Sequence, residues 1–175
     1  NQIFQGVTQA LKNGRFTGFD LQGPSGMMDR PGFIAACWAI GRHEGCGAYR
    51  ELAHTLIVDM TDRTIKRDMG YDLIAGSAGY LLMSMHLERQ EKISGLEPVL
   101  ERLADHLMNS AADDGGPWWP SAATGLNNRP LCGFAHGRAG IGLALLEVGT
   151  RLNRTDLRKM GLETLHAEHV LRGDA

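Results

Sequence analysis

The chain has 175 residues, 43% of them hydrophobic, with 18 Lys+Arg against 20 Asp+Glu and a formal net charge of -2. This is enough apolar material for one domain with a real core, and the near-balance of charge excludes the basic surface that nucleic acid or an anionic membrane would need. No apolar run approaches the ~20 residues that span a bilayer, and 3 cysteines, an odd number with no close pair, read as free thiols of a reducing cytoplasm rather than a disulfide frame.

Residues 1–14 lack the apolar stretch of a signal peptide. The first residue is Asn1 rather than Met, as expected of a processed piece or a fragment. Glycine is abundant: the 23 glycines are about twice the typical ~7% share, beside only 6 prolines. Three Gly-x-x-Gly segments, each leading into an apolar run, give the chain a repeat. They start at Gly23, Gly76 and Gly137, and the second and third align closely through Gly76-Ser77-Ala78-Gly79 and Gly137-Arg138-Ala139-Gly140.

The first repeat carries Asp29-Arg30-Pro31-Gly32 ahead of its apolar run, and Pro31 is expected to delay or kink the helix there. The run itself extends from Phe33 to Ile40, apolar nearly all round. An amphipathic stretch follows, with Tyr49, Leu52, Ala53, Leu56, Ile57 and Met60 at helical spacing. The second repeat begins at Gly76 and feeds Tyr80 to Leu87, again apolar on most faces and rich in Leu and Met, which favours helix over strand. Leu96, Val99, Leu100, Leu103 and Leu107 form its amphipathic partner. Asn109 to Pro130 is a long loop bearing Asp113, Asp114, Trp118 and Trp119, and the two tryptophans read as packing groups before peptide contacts. The third repeat runs from Gly137 through Ile141 to Val148, then a weaker amphipathic stretch from Leu157 to Leu171. There is no convincing strand. The unit is loop, buried helix, loop, half-buried helix, which stacks into two helical layers. An inner helix at an open end of such a stack loses cover on one side.

Two residues carry candidate chemistry. His136 lies among glycines immediately before the third buried helix, where the backbone is least crowded and the positive helix end favours a neutral ring able to exchange a proton. Its bland reading is a turn residue. Asp72 occupies the corresponding loop of the second repeat, where it is either a helix cap or a carboxylate that orients His136. Cys37, Cys46 and Cys132 read as structural or loop thiols. His166 and His169, with Glu163 and Glu168 nearby, read as a solvated helix face, and His43, His54, His86 and His106 carry no signal.

The stretches Gly-Phe-Ala-His-Gly-Arg-Ala-Gly-Ile, ending at Ile141, and Tyr-Asp-Leu-Ile-x-Gly-x-Ala-Gly, ending at Gly79, resemble the lanthionine synthetase C-like family. Within it they most resemble the C-terminal cyclase domain of class II lanthipeptide synthetases. The resemblance implies an all-α fold, an α/α toroid of seven inner and seven outer helices. Residues 1–175 would then be a partial cyclase domain of about three helical-hairpin repeats. It also implies a zinc-dependent addition of peptide cysteine thiols to dehydroalanine or dehydrobutyrine, with His136 as acid/base and Asp72 positioning it. The implied partners are a precursor peptide and a further segment or chain that closes the ring. The implied zinc site uses two cysteines and a histidine in a Cys-His-Gly region. No Cys-His-Gly occurs in the chain, so the metal ligands are expected beyond Ala175 or lost, and this piece alone is expected to be inactive. Two other readings stand beside it. One is a non-catalytic helical-repeat module that binds a peptide or a small thiol such as glutathione. The other is an unrelated α/α-barrel glycosidase pairing Asp72 with Asp113 or Asp114.

Overall fold

The computed structural model describes residues 29–120 and 130–171, together with Gln5 and Gln9. The Gly23 start of the first repeat lies outside the described residues. In chain order the described elements are α1 (Asp29–His43), α2 (Gly47–Val58), α3 (Asp62–Ile65), α4 (Ser77–Glu88), α5 (Glu97–Ser110), β1 (Ala112–Asp113), β2 (Pro117–Trp118), α6 (Arg138–Arg151) and α7 (Thr155–Leu171). Three helical hairpins, α1/α2, α4/α5 and α6/α7, make up the fold. Helices α1, α4 and α6 pack side by side as one layer, and each carries its following helix in the second layer. The expected all-α helical-repeat architecture is what forms.

The layer a helix occupies follows from its apolar pattern. On α5 the residues Val99, Leu100, Leu103, Ala104 and Leu107 make one buried stripe, and Glu97 and Glu101 stay exposed. On α4 and α6 burial reaches several faces: Tyr80, Leu81, Ser84, Met85 and Leu87 on the first, Ile141, Ala144, Leu145 and Val148 on the second. Among the described residues, helix α1 packs mainly against α2 and α4, and its Ala36, Ala39 and Ile40 are exposed. Close backbone approach holds the third hairpin together. A Cβ on Gly161 would stand 2.8 Å from the carbonyl oxygen of Gly142, so the two helices pack tighter there than any side chain allows.

Pro31 does not break α1. It stands in the first turn of the described helix, where a missing N–H costs little, and the helix runs on to His43. The preceding residue, Arg30, has a structural task that its sequence setting did not reveal. Its side chain is almost wholly enclosed and donates from Nε and Nη2 to the carbonyl of Leu56 at 3.2 and 2.8 Å, and from Nη2 to that of Asp59 at 2.9 Å. The hydroxyl of Tyr80 donates to the carbonyl of Ile57 at 3.0 Å. Together they satisfy carbonyls at the C-terminal end of α2 that the helix itself leaves open. Burial pushes the Tyr80 phenol far above its usual value, so it remains a donor at any working pH.

The long loop contains one feature that periodicity could not show, a two-residue antiparallel ladder in which Ala112 faces Trp118 and Asp113 faces Pro117. Trp119 packs as expected: it is 4% exposed, and its indole N–H donates to the carbonyl of Leu107 at 2.8 Å.

Candidate active site

The loops that precede α4 and α6 lie side by side because those two helices are neighbours in one layer. The Leu73 N–H donates to the Ala135 carbonyl at 3.2 Å and joins the loops directly. Both helices start from a glycine N-cap, Gly76 and Gly137, with the preceding chain folded across it. A Cβ on Gly76 would lie 2.2 Å from the Tyr71 nitrogen, and one on Gly137 would lie 2.3 Å from the Cys132 carbonyl carbon. Gly140, one turn further along α6, meets the Phe134 carbonyl oxygen in the same way, at 2.1 Å. The repeated glycines therefore mark where the two loops close over the helix starts.

This closure brings Asp72 and His136 together. The His136 Nδ1 and Asp72 Oδ2 are 2.9 Å apart, and since a carboxylate only accepts, Nδ1 is the donor. The carboxylate is fixed from its other side. Its Oδ1 accepts from the N–H groups of Ile74, at 2.9 Å, and Ala75, at 2.7 Å. The Asp72 side chain is 1% exposed, whereas that of His136 is 52% exposed. The half-exposed imidazole thus has one nitrogen held by a buried carboxylate, which leaves Nε2 as the nitrogen that can exchange a proton.

Three further charged residues are buried beside these loops, and none of them was a candidate site residue in the sequence. Asp68 is 2% exposed, and its carboxylate accepts from three backbone N–H groups of the Asp72 loop and the start of α4. Glu168, read from the sequence as part of a solvated face, is 5% exposed and turns inward, where Oε1 accepts from the Gly133 N–H at 2.7 Å. Arg138 is 1% exposed at the first position of α6, and its guanidinium nitrogens meet no hydrogen-bond acceptor among the described residues. His106 also departs from expectation, with its ring stacked on Tyr71 and Nε2 3.8 Å from Asp68 Oδ2.

The remaining sequence candidates do not join this cluster. Asp113 accepts from the Gly116 N–H within its own turn at 3.0 Å, and Asp114 lies exposed beside it. His166 and His169 are exposed. Cys37 is buried, Cys46 half-buried and Cys132 exposed. Among the described residues no group of three or more His, Cys, Asp or Glu side chains could hold a metal ion, so the zinc that the sequence resemblance implies has no fitting ligand set there. No helix of the described residues is long and apolar enough to cross a membrane.

The thiols differ in reactivity. Cys37 is 3% exposed, and burial pushes its pKa up to about 11. Since the thiolate is the nucleophile, Cys37 stays protonated and unreactive below that pH, while Cys132 is exposed. Iodoacetamide labelling at pH 8 followed by peptide mass spectrometry is expected to modify Cys132 long before Cys37; equal labelling of the folded chain would contradict this burial.

No curated protein and no solved structure matches the chain. A family model, lanthionine synthetase C-like protein, matches residues 2–173. With the match covering almost the whole chain, and the two helix-start loops that carry the resemblance meeting in one hydrogen-bonded pair, the chain belongs to the lanthionine synthetase C-like family.

Proposed function

We propose that the chain contributes the acid/base dyad of a lanthipeptide cyclase, with His136 as the proton carrier and Asp72 as the residue that holds it. The hydrogen bond between His136 Nδ1 and Asp72 Oδ2, formed across equivalent loops of two repeats, carries this reading. In the reaction the sulfur of a peptide cysteine bonds to the β-carbon of dehydroalanine or dehydrobutyrine. The π pair of the alkene moves to the α-carbon and its carbonyl as an enolate, and the α-carbon then takes a proton. The thiol gives up one proton and the α-carbon gains one, so a single group able to do both closes the cycle. The His136 side chain is half exposed, its Nε2 has no hydrogen-bond partner among the described residues, and the imidazolium formed when it accepts a proton is stabilised by Asp72. The substrate is a dehydrated precursor peptide.

The test uses the full-length polypeptide with a peptide containing one cysteine and one dehydroalanine. Ring closure leaves the mass unchanged but removes a thiol, so alkylation followed by mass spectrometry counts rings. Loss of the thiol at a rate set by the polypeptide supports the cyclase. Peptide or glutathione binding with no loss of thiol would assign the chain to the non-catalytic kind of module instead.

A further inference from the structure

We infer that Asp68 is the positioning residue of the dyad, acting through the backbone that presents Asp72 to His136. The inference rests on reading Asp72 and His136 as the acid/base pair. No hydrogen bond or ion pair joins Asp68 to His136 among the described residues. Asp68 works on the loop before Asp72, and it does so with both oxygens. Oδ1 accepts from the N–H groups of Gly70 and Tyr71, each at 3.0 Å, and Oδ2 accepts from the N–H of Ser77 at 2.8 Å. Ser77 is the first residue of α4, so one buried carboxylate pins the beginning of the loop to the helix that ends it.

The pinned segment is held in a conformation it would not choose alone. Tyr71 has φ 60°, in the left-handed region that costs a bulky residue energy. Its ring is stacked on His106, with centroids 5.5 Å apart, and its carbonyl accepts from the Ala78 N–H at 3.1 Å. His106 Nε2 stands 3.8 Å from Asp68 Oδ2 and closes the carboxylate off from the α5 side. Gly70, Tyr71 and Ser77 donate to Asp68, and Ile74 and Ala75 donate to Asp72 Oδ1, so five backbone donors of this segment are committed to the two carboxylates. Asp72 Oδ2 is the oxygen left over, and it points at His136. Were Asp68 to release one end, Tyr71 could leave its strained region and carry Asp72 with it.

Asp68→Asn tests this because an amide has one oxygen. It can serve the Gly70–Tyr71 pair or Ser77, and turns an N–H donor on the other. Ser77→Pro is the second variant: it deletes the N–H that Asp68 Oδ2 binds, at a first helical position where proline is well tolerated. Each is made in this chain, and the ring nitrogens of His136 are read by 15N NMR, with Asp72→Asn as the reference for a dyad taken apart. In the unsubstituted chain the Nδ1-protonated tautomer should dominate the neutral ring, and both Asp68→Asn and Ser77→Pro should shift the population toward that of Asp72→Asn while helix content stays the same. In the full-length polypeptide, kcat for ring closure should fall about tenfold with KM unchanged, the signature of lost positioning. If Asp68→Asn does not fold, Ser77→Pro decides alone. An unshifted tautomer in the folded variants, with Asp72→Asn shifting it, overturns the role of Asp68 and leaves the dyad standing. An unshifted tautomer in Asp72→Asn overturns the dyad, and the role of Asp68 falls with it.

Discussion

Asp72→Asn is expected to slow ring closure by about 10²- to 10⁴-fold in the full-length polypeptide, while leaving the fold intact. The size of the effect comes from the amide being unable to choose its orientation. Oδ1 of Asp72 accepts from two backbone N–H groups, those of Ile74 and Ala75. An asparagine must put its carbonyl oxygen there, since turning the NH2 group to face two donors would leave both part-buried N–H groups unpaired. Its NH2 group therefore takes the place of Oδ2 and faces His136 Nδ1. Nδ1 must then accept, and the ring proton moves to Nε2. The nitrogen meant to take a proton becomes a donor, and the imidazolium that would return one loses its counter-charge. Rates of thiol loss for the substituted and unsubstituted polypeptides measure the effect directly, and equal rates would remove Asp72 from the mechanism.

The largest expected effect on stability is at Gly76. Its backbone is extended, with φ -146°, so alanine suffers no conformational strain there. The obstacle is space. The added Cβ would fall 2.2 Å from the nitrogen of Tyr71 and 2.4 Å from its Cα and carbonyl carbon, all backbone atoms of a loop already held by Asp68 and Asp72. The loop has to lift off the start of α4, and Gly76→Ala is expected to cost about 3 kcal/mol in urea unfolding. Gly47→Ala supplies the contrast: nothing lies within 4 Å of its Cβ, and a change within about 0.5 kcal/mol is expected. A cost at Gly76 as small as that at Gly47 would show that the loop does not close over the helix as described.

What the sequence made legible, and what it hid, divides along physical lines. The alternation of layers was readable because each inner run, such as Tyr80 to Leu87, is apolar on several faces, while α5 shows a single stripe. The placement of Asp72 near His136 was readable because equivalent loops of neighbouring repeats fall at the same end of the layer, and the two side chains stand 2.9 Å apart. Asp68, Glu168 and Arg30 were not readable. In sequence they look like ordinary surface charges, and nothing local marks a carboxylate or guanidinium whose partners are backbone groups. Their burial follows from loops and helix ends that exist only once the layers have packed. The β1–β2 ladder escaped for a simpler reason: two residues per strand are too few to show a period.

The glycine excess gains its meaning from the same packing. Gly76, Gly137 and Gly140 are required by the loops that carry Asp72 and His136, and Gly142 and Gly161 by the approach of α6 to α7.

The most direct test of the central claim, that His136 moves the proton in ring closure, is chemical rescue. His136→Ala removes an imidazole that is 52% exposed, so free imidazole can reach the space it leaves and Asp72 Oδ2 remains to receive it. The full-length His136→Ala polypeptide should close rings at least about 100-fold more slowly, and added imidazole should restore the rate with saturation. Ring closure by His136→Ala at the unsubstituted rate, with or without imidazole, would contradict the account.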